Sequence, residues 1–114
     1  MRFSTSLKNN FEFRRLYFKG RSAAGPLLVL YTRPNKREEN RLGLTVGTKL
    51  GGAVTRNRVR RRLREIYRLN EEQFLRGKDL VVVARTRSVT SAYRELEREF
   101  LRLAGKLGLT EKKE

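Results

Sequence analysis

The run Arg56-Asn57-Arg58-Val59-Arg60-Arg61-Arg62-Leu63-Arg64-Glu65-Ile66-Tyr67-Arg68 holds the densest chemistry in the chain. On a helix turning about 100° per residue, Val59, Leu63 and Ile66 share one stripe, Asn57, Arg61, Arg64 and Arg68 stand roughly opposite, and Arg60 lies on the shoulder. One side can enter a core while the other stays charged. Like charges three and four residues apart destabilise an isolated helix by roughly 0.2–0.5 kcal/mol per pair. A bound polyanion would remove that repulsion, so the pattern points to an RNA or DNA backbone. An ordinary solvated charge run is the alternative, and the rest of the chain has to decide between them.

With 114 residues, one domain spanning 1–114 is expected, and its core is modest. The 28 Lys and Arg against 12 Asp and Glu give a formal charge of +16, which favours a nucleic acid as partner. No segment has the apolar run needed to cross a bilayer, and the basic helix has no broad apolar wetting face, so no membrane partner is expected. The chain has neither Cys nor His, which excludes disulfides, a thiol nucleophile, a zinc site and histidine-dependent nuclease chemistry. The first residues reach polar Lys8-Asn9-Asn10 without a secretory apolar core, so a cytoplasmic location is the default expectation.

The flanking elements follow from periodicity. Asn9 with Glu12 forms a possible capping box for a helix that carries Phe13, Leu16 and Tyr17 at helical spacing and stops at Gly20. Phe11 and Phe18 fall off that stripe, leaving aromatic surface available to a ligand. After Pro26, residues 27–32 read as a strand. Residues 35–40 read as a turn or short loop, and Leu42, Leu44 and Val46 alternate as a second strand, with a hairpin as the simplest connection. Gly47, Gly51 and Gly52 lack any phosphate-loop spacing and shape a turn before the basic helix, which begins between Ala53 and Asn57 and runs toward Asn70.

Leu80-Val81-Val82-Val83-Ala84 has no polar alternation and fits a central strand buried on both faces. Thr90 or Ser91 starts a last helix with Tyr93, Leu96, Phe100, Leu103 and Leu107 on its packing side, Tyr93 and Phe100 being read as core. A frayed tail is expected over about 109–114.

The ordered stretch from Lys49 to Glu65, with its lysine, glycine turn, Ala53-Val54, the Arg56-Asn57-Arg58 triplet and the cationic helix, resembles the protein subunit of bacterial ribonuclease P. The likeness spans nearly the whole chain. It extends to Phe13 and Tyr17 in the first helix and Tyr31 in the first strand. It departs from a common form of the motif at Thr48, where a second lysine is usual, and at Gly52, where a polar residue is frequent.

The resemblance implies an α/β (α+β) fold: a compact two-layer sandwich of a central mixed sheet with three main helices, in the order α-β-β-(β)-α-β-α. It also implies a left-handed βαβ crossover, whereas sequence alone would favour the right-handed one. Functionally it implies an accessory subunit that assists a catalytic RNA in magnesium-dependent, endonucleolytic removal of the 5′ leader from precursor tRNA. The Mg2+ would be associated mainly with catalytic RNA and substrate, with no organic cofactor, and the protein would be inactive alone and monomeric within the basic holoenzyme.

Phe13, Tyr17 and Tyr31 become candidates for a leader groove, although without the resemblance Phe13 and Tyr31 read as packing residues. Lys49, Arg56, Asn57, Arg58, Arg60, Arg61, Arg64 and Arg68 become candidates for RNA contact. Asn57 has two roles open to it, a helix-start or side-chain-to-backbone hydrogen bond and an amide contact to RNA or metal-bound water. Glu65 reads as an ion-pair partner for neighbouring arginines in preference to a metal's outer shell. The competing class is a small ribosomal or other structural RNA-binding protein, which size and charge suit equally well.

Overall fold

The computed structural model describes residues 1–110. Its elements are β1 (Ser4–Ser6), α1 (Asn10–Lys19), β2 (Arg21–Ala24), β3 (Leu28–Pro34), β4 (Asn40–Thr45), α2 (Ala53–Asn70), β5 (Lys78–Ala84) and α3 (Tyr93–Lys106). They build a five-stranded mixed sheet in the order β1-β4-β5-β3-β2, with β1–β4 and β4–β5 parallel and the other pairs antiparallel.

β5 holds the centre because Leu80, Val81 and Val82 are buried and leave no polar face to turn to water. This overturns the expected hairpin. β3 and β4 each pair with β5 instead of with one another, so residues 35–39 cross the end of β5 between strands two sheet spacings apart, about 10 Å. Asn35 fastens that crossing: its amide nitrogen donates to Asp79 Oδ1 and to the Glu39 carbonyl, both at 3.0 Å. β4 and β5 in turn are joined through α2 as a parallel βαβ unit.

Strand alternation divides the core. Leu28, Leu30, Leu42, Leu80 and Val82 face α2 and α3, which contribute Val59, Leu63, Ile66, Leu96, Phe100 and Leu103. Each of these large side chains, fully buried, contributes roughly 1.5–3 kcal/mol. Tyr67, Phe74 and Phe100 close the cluster with ring centroids 5.1–6.4 Å apart. The opposite face carries a smaller cluster of Leu7, Leu16 and Val81, against which Phe13, Tyr17 and Tyr31 pack, so α1 covers that side.

Three local expectations are corrected. Asn9 precedes α1 but its side chain makes no capping bond. Glu12 turns to the Arg41 guanidinium, which also holds Asp79 through two bonds of 2.8 and 2.7 Å. Arg41 and Asp79 are largely buried here, and a buried charge left without its partner is far more costly than an uncapped helix end.

α3 opens at Tyr93, not at Thr90 or Ser91, because residues 86–89 form a short 3-10 turn; Glu95 then accepts from the Ala92 N–H. The chain is also docked beyond residue 108. Leu109 is buried, its carbonyl accepts from Leu75 N–H at 2.8 Å, and Thr110 bridges Phe74. The remainder of the expected frayed tail, 111–114, lies outside the described residues.

Candidate nucleic-acid interface

α1 is laid across the sheet so that its inner side meets β3, β4 and β5. Phe13 can lie close to the strand because residue 43 is glycine: a β-carbon there would stand 2.6 Å from the tip of the Phe13 ring. Tyr17 packs edge-on to Tyr31, with centroids 5.0 Å apart and planes at 76°, and its hydroxyl shares a 2.7 Å hydrogen bond with Thr45 Oγ1. All three aromatics are half-buried, with one edge in the packing and one exposed.

β1 pairs with β4 only from Asn40 to Leu42, so Gly43, Leu44 and Thr45 border an uncovered edge. There a groove of about 450 Å³ opens, lined by Asn10, Phe13, Arg14, Tyr17, Leu44, Thr45, Val46 and Arg60. The structure thus brings Phe13 and Tyr17 of α1 together with Arg60 of α2. Tyr31 does not line this groove; it supports Tyr17 from behind.

The buried stripe of α2 is Val59, Leu63, Ile66, Tyr67 and Asn70, which leaves the cationic side outward. Gly51, with φ +134, makes the turn that admits the helix. Arg60, on the shoulder, donates to Asn57 Oδ1 at 3.0 Å and to the Val46 carbonyl at 3.5 Å, and these bonds aim it at the groove. Asn57 sits inside the helix, so it is not a cap, and its oxygen steadies Arg60. Arg56 donates to the Gly51 carbonyl. Lys49, Arg58, Arg61 and Arg64 are exposed and have neither ion pair nor hydrogen bond among the described residues.

Arg68 is less free. It pairs with Glu65, whose carboxyl is held below its usual range chiefly by that hydrogen bond. Arg62, in the same run, belongs to packing: it donates to the Ser91 carbonyl and lies 5.7 Å from the Tyr93 ring centroid.

Gly43, beneath the Phe13 ring, and Arg14, in the groove lining, went unread in the sequence. Gly43 interrupts the Leu42/Leu44 alternation, and a glycine inside a strand marks a close approach. Arg14 carried no signal beyond its charge.

A family model described as Ribonuclease P matches residues 1–108. The chain belongs to the ribonuclease P protein family. It is 45% identical over 107 residues to the ribonuclease P protein component of Natranaerobius thermophilus, covering 94% of this chain and 93% of that relative. The Staphylococcus aureus RNase P protein has the same fold, with a TM-score of 0.86 at 32% identity over 93% of this chain and 97% of its own. The Thermotoga maritima RNase P protein gives 0.79 at 28% identity, covering 85% and 92%.

The resemblance read from Lys49 to Glu65 is borne out, and the ribosomal alternative is set aside. As a ribonuclease P protein component the chain is part of a ribonucleoprotein endoribonuclease of tRNA processing, with an RNA subunit as partner. Among the described residues no helix is long and apolar enough to cross a membrane.

Proposed function

We propose that this ribonuclease P protein holds the single-stranded 5′ leader of precursor tRNA in the groove between α1 and β4, while the outer side of α2 engages phosphates of the catalytic RNA and of the substrate near the cleavage point. One observation carries the reading: half-buried Phe13 and Tyr17 share an open groove with Arg60. Aromatic faces take unpaired bases of any identity, and a guanidinium alongside takes the backbone. The unpaired cations Lys49, Arg58, Arg61 and Arg64 would neutralise phosphates and let two polyanions approach, with Arg56 and Asn57 at the same end of the helix and Arg68 released from Glu65 on contact.

The reaction is the magnesium-dependent hydrolysis that leaves a 5′-phosphate on tRNA. Among the described residues no three His, Cys, Asp or Glu side chains stand together as a metal site. In this proposal the ion belongs to catalytic RNA and substrate, with the protein as an accessory that is inactive alone. We place it in the cytoplasm as a single copy in the basic holoenzyme.

The test compares holoenzymes carrying Phe13→Ala or Tyr17→Ala on precursor tRNA with and without a leader. Each loss of a stacked base should weaken leader-bearing substrate by about tenfold or more and leave leaderless RNA untouched. Equal losses on both RNAs would contradict leader recognition.

A further inference from the structure

We propose that the outer face of α1 is a second stacking surface, which continues the groove and takes the unpaired leader nucleotides upstream of those held by Phe13 and Tyr17. Phe11 is 63% exposed and Phe18 is 85% exposed. Seven residues apart, they lie on one side of the helix, about 10 Å apart along its axis. The α1 residues that pack against the sheet are Leu16, Phe13 and Tyr17, so neither of these rings is needed to dock the helix.

Cations surround the two rings. Arg14, Arg15 and Lys19 line the same shallow depression, of about 320 Å³, and the Arg15 guanidinium stands 4.5 Å from the centroid of the Phe11 ring. None of the three forms an ion pair among the described residues. Exposed aromatic faces interleaved with free guanidinium and ammonium groups are the composition of a surface that binds single strands with little sequence preference. A second copy of this chain, also at +16, would be repelled from the face.

Continuity fixes which RNA it is. Arg14 lines both this depression and the groove, so the two surfaces meet at one guanidinium. A strand leaving the groove past Arg14 arrives on the rings with its phosphates beside Arg15 and Lys19. The assignment rests on the leader-binding reading of the groove.

The test uses reconstituted holoenzyme with the parent protein, a Phe11→Ala/Phe18→Ala double variant, Phe18→Tyr, and Phe13→Ala. Affinity is measured for precursor tRNAs whose leaders are lengthened one nucleotide at a time from none. The parent should gain affinity in two stages. The double variant should keep the first and lose the second, by about tenfold at the longest leaders, while Phe18→Tyr retains both.

A loss of equal size at every length, including no leader, would place the contact on the RNA subunit or the tRNA body and overturn the proposal. No loss at any length would overturn it too, and binding of the parent but not the double variant to phosphatidylserine vesicles would then assign the rings to a lipid surface. Failure of the groove reading is separate: Phe13→Ala would then show no dependence on leader length, whatever the double variant does.

Discussion

Adding one methyl group beneath the Phe13 ring should loosen the leader without replacing any residue proposed to meet RNA. The β-carbon of Gly43→Ala would fall 2.6 and 2.7 Å from two atoms of the Phe13 ring and 3.3 Å from Leu7 Cδ1. Carbon atoms pack at about 3.5–4.0 Å, so the ring has to withdraw by about 1 Å. Gly43 does not have the positive φ that disfavours an L side chain, so the backbone accepts alanine.

Phe13 is half-buried and borders open space, so it can tilt into the groove and the stability loss should stay near the low end of the roughly 1–3 kcal/mol typical of overpacking. A displaced ring forfeits much of one base stack, about 1 kcal/mol, or a five- to tenfold weaker grip on leader-bearing precursor. Equilibrium binding by the reconstituted holoenzyme, with and without a leader, reads this out, and thermal unfolding of the free protein verifies that it folds. A folded Gly43→Ala variant that discriminates leader from no leader as well as the parent does would refute the idea that the position of this ring on the sheet matters.

Replacing Arg60, Arg61 and Arg64 together by alanine should weaken RNA binding and flatten the slope of log affinity against log salt by about 2–3, from roughly 0.7–0.9 per phosphate contact; titrations across salt concentrations measure it. Glu99, buried on α3, accepts from Leu27 and Leu28 N–H at 2.7 Å each, so Glu99→Ala should cost roughly 2–4 kcal/mol in urea unfolding by leaving both donors unpaired. Burial pushes the Glu71 carboxyl up, but hydrogen bonding from Ser4 and from the backbone N–H of Arg2 and Phe3 outweighs it and holds the carboxyl below its ordinary value. A carboxyl depressed on folding stabilises the fold above its unfolded pKa, and that stability is lost as pH falls through the folded one. Glu71→Gln should therefore be less stable than the parent at neutral pH by roughly 1–2 kcal/mol, with the gap closing on acidification below the usual carboxylate range in unfolding curves taken across pH.

What the sequence disclosed follows the strength of its periodicity. The buried stripe of α2 and the central place of β5 were legible because nothing polar interrupts Val59, Leu63 and Ile66 or Leu80 to Val83. β1 and β2 were not, since Ser4-Thr5-Ser6 and Arg21-Ser22-Ala23-Ala24 have no apolar alternation. They are strands because β4 and β3 offer them an edge, a tertiary cause that local sequence does not carry. The split of β3 from β4 was hidden for the same reason, for a hairpin needs only adjacent segments whereas insertion of β5 is a long-range event.

At the candidate site the residue types were legible and their grouping was not. Phe13 and Tyr17 stand 47 and 43 residues before Arg60 in the chain, on a helix across the sheet from its own, and they meet only where β1 stops short and leaves the β4 edge open. Tyr67 gave no warning of its place beneath the sheet, where its hydroxyl meets Ser4 and Asn40, because it follows Ile66 directly and sits among arginines.

In the proposed division of labour this protein assists an RNA that does the cutting. End-labelled precursor tRNA is incubated at moderate magnesium with the protein alone, with bacterial ribonuclease P RNA alone, and with both. Faster cleavage at the mature 5′ end in the mixture, with no cleavage by protein alone, is the predicted result. Specific cleavage by the RNA-free protein, or no enhancement by an intact mixture, would contradict the account.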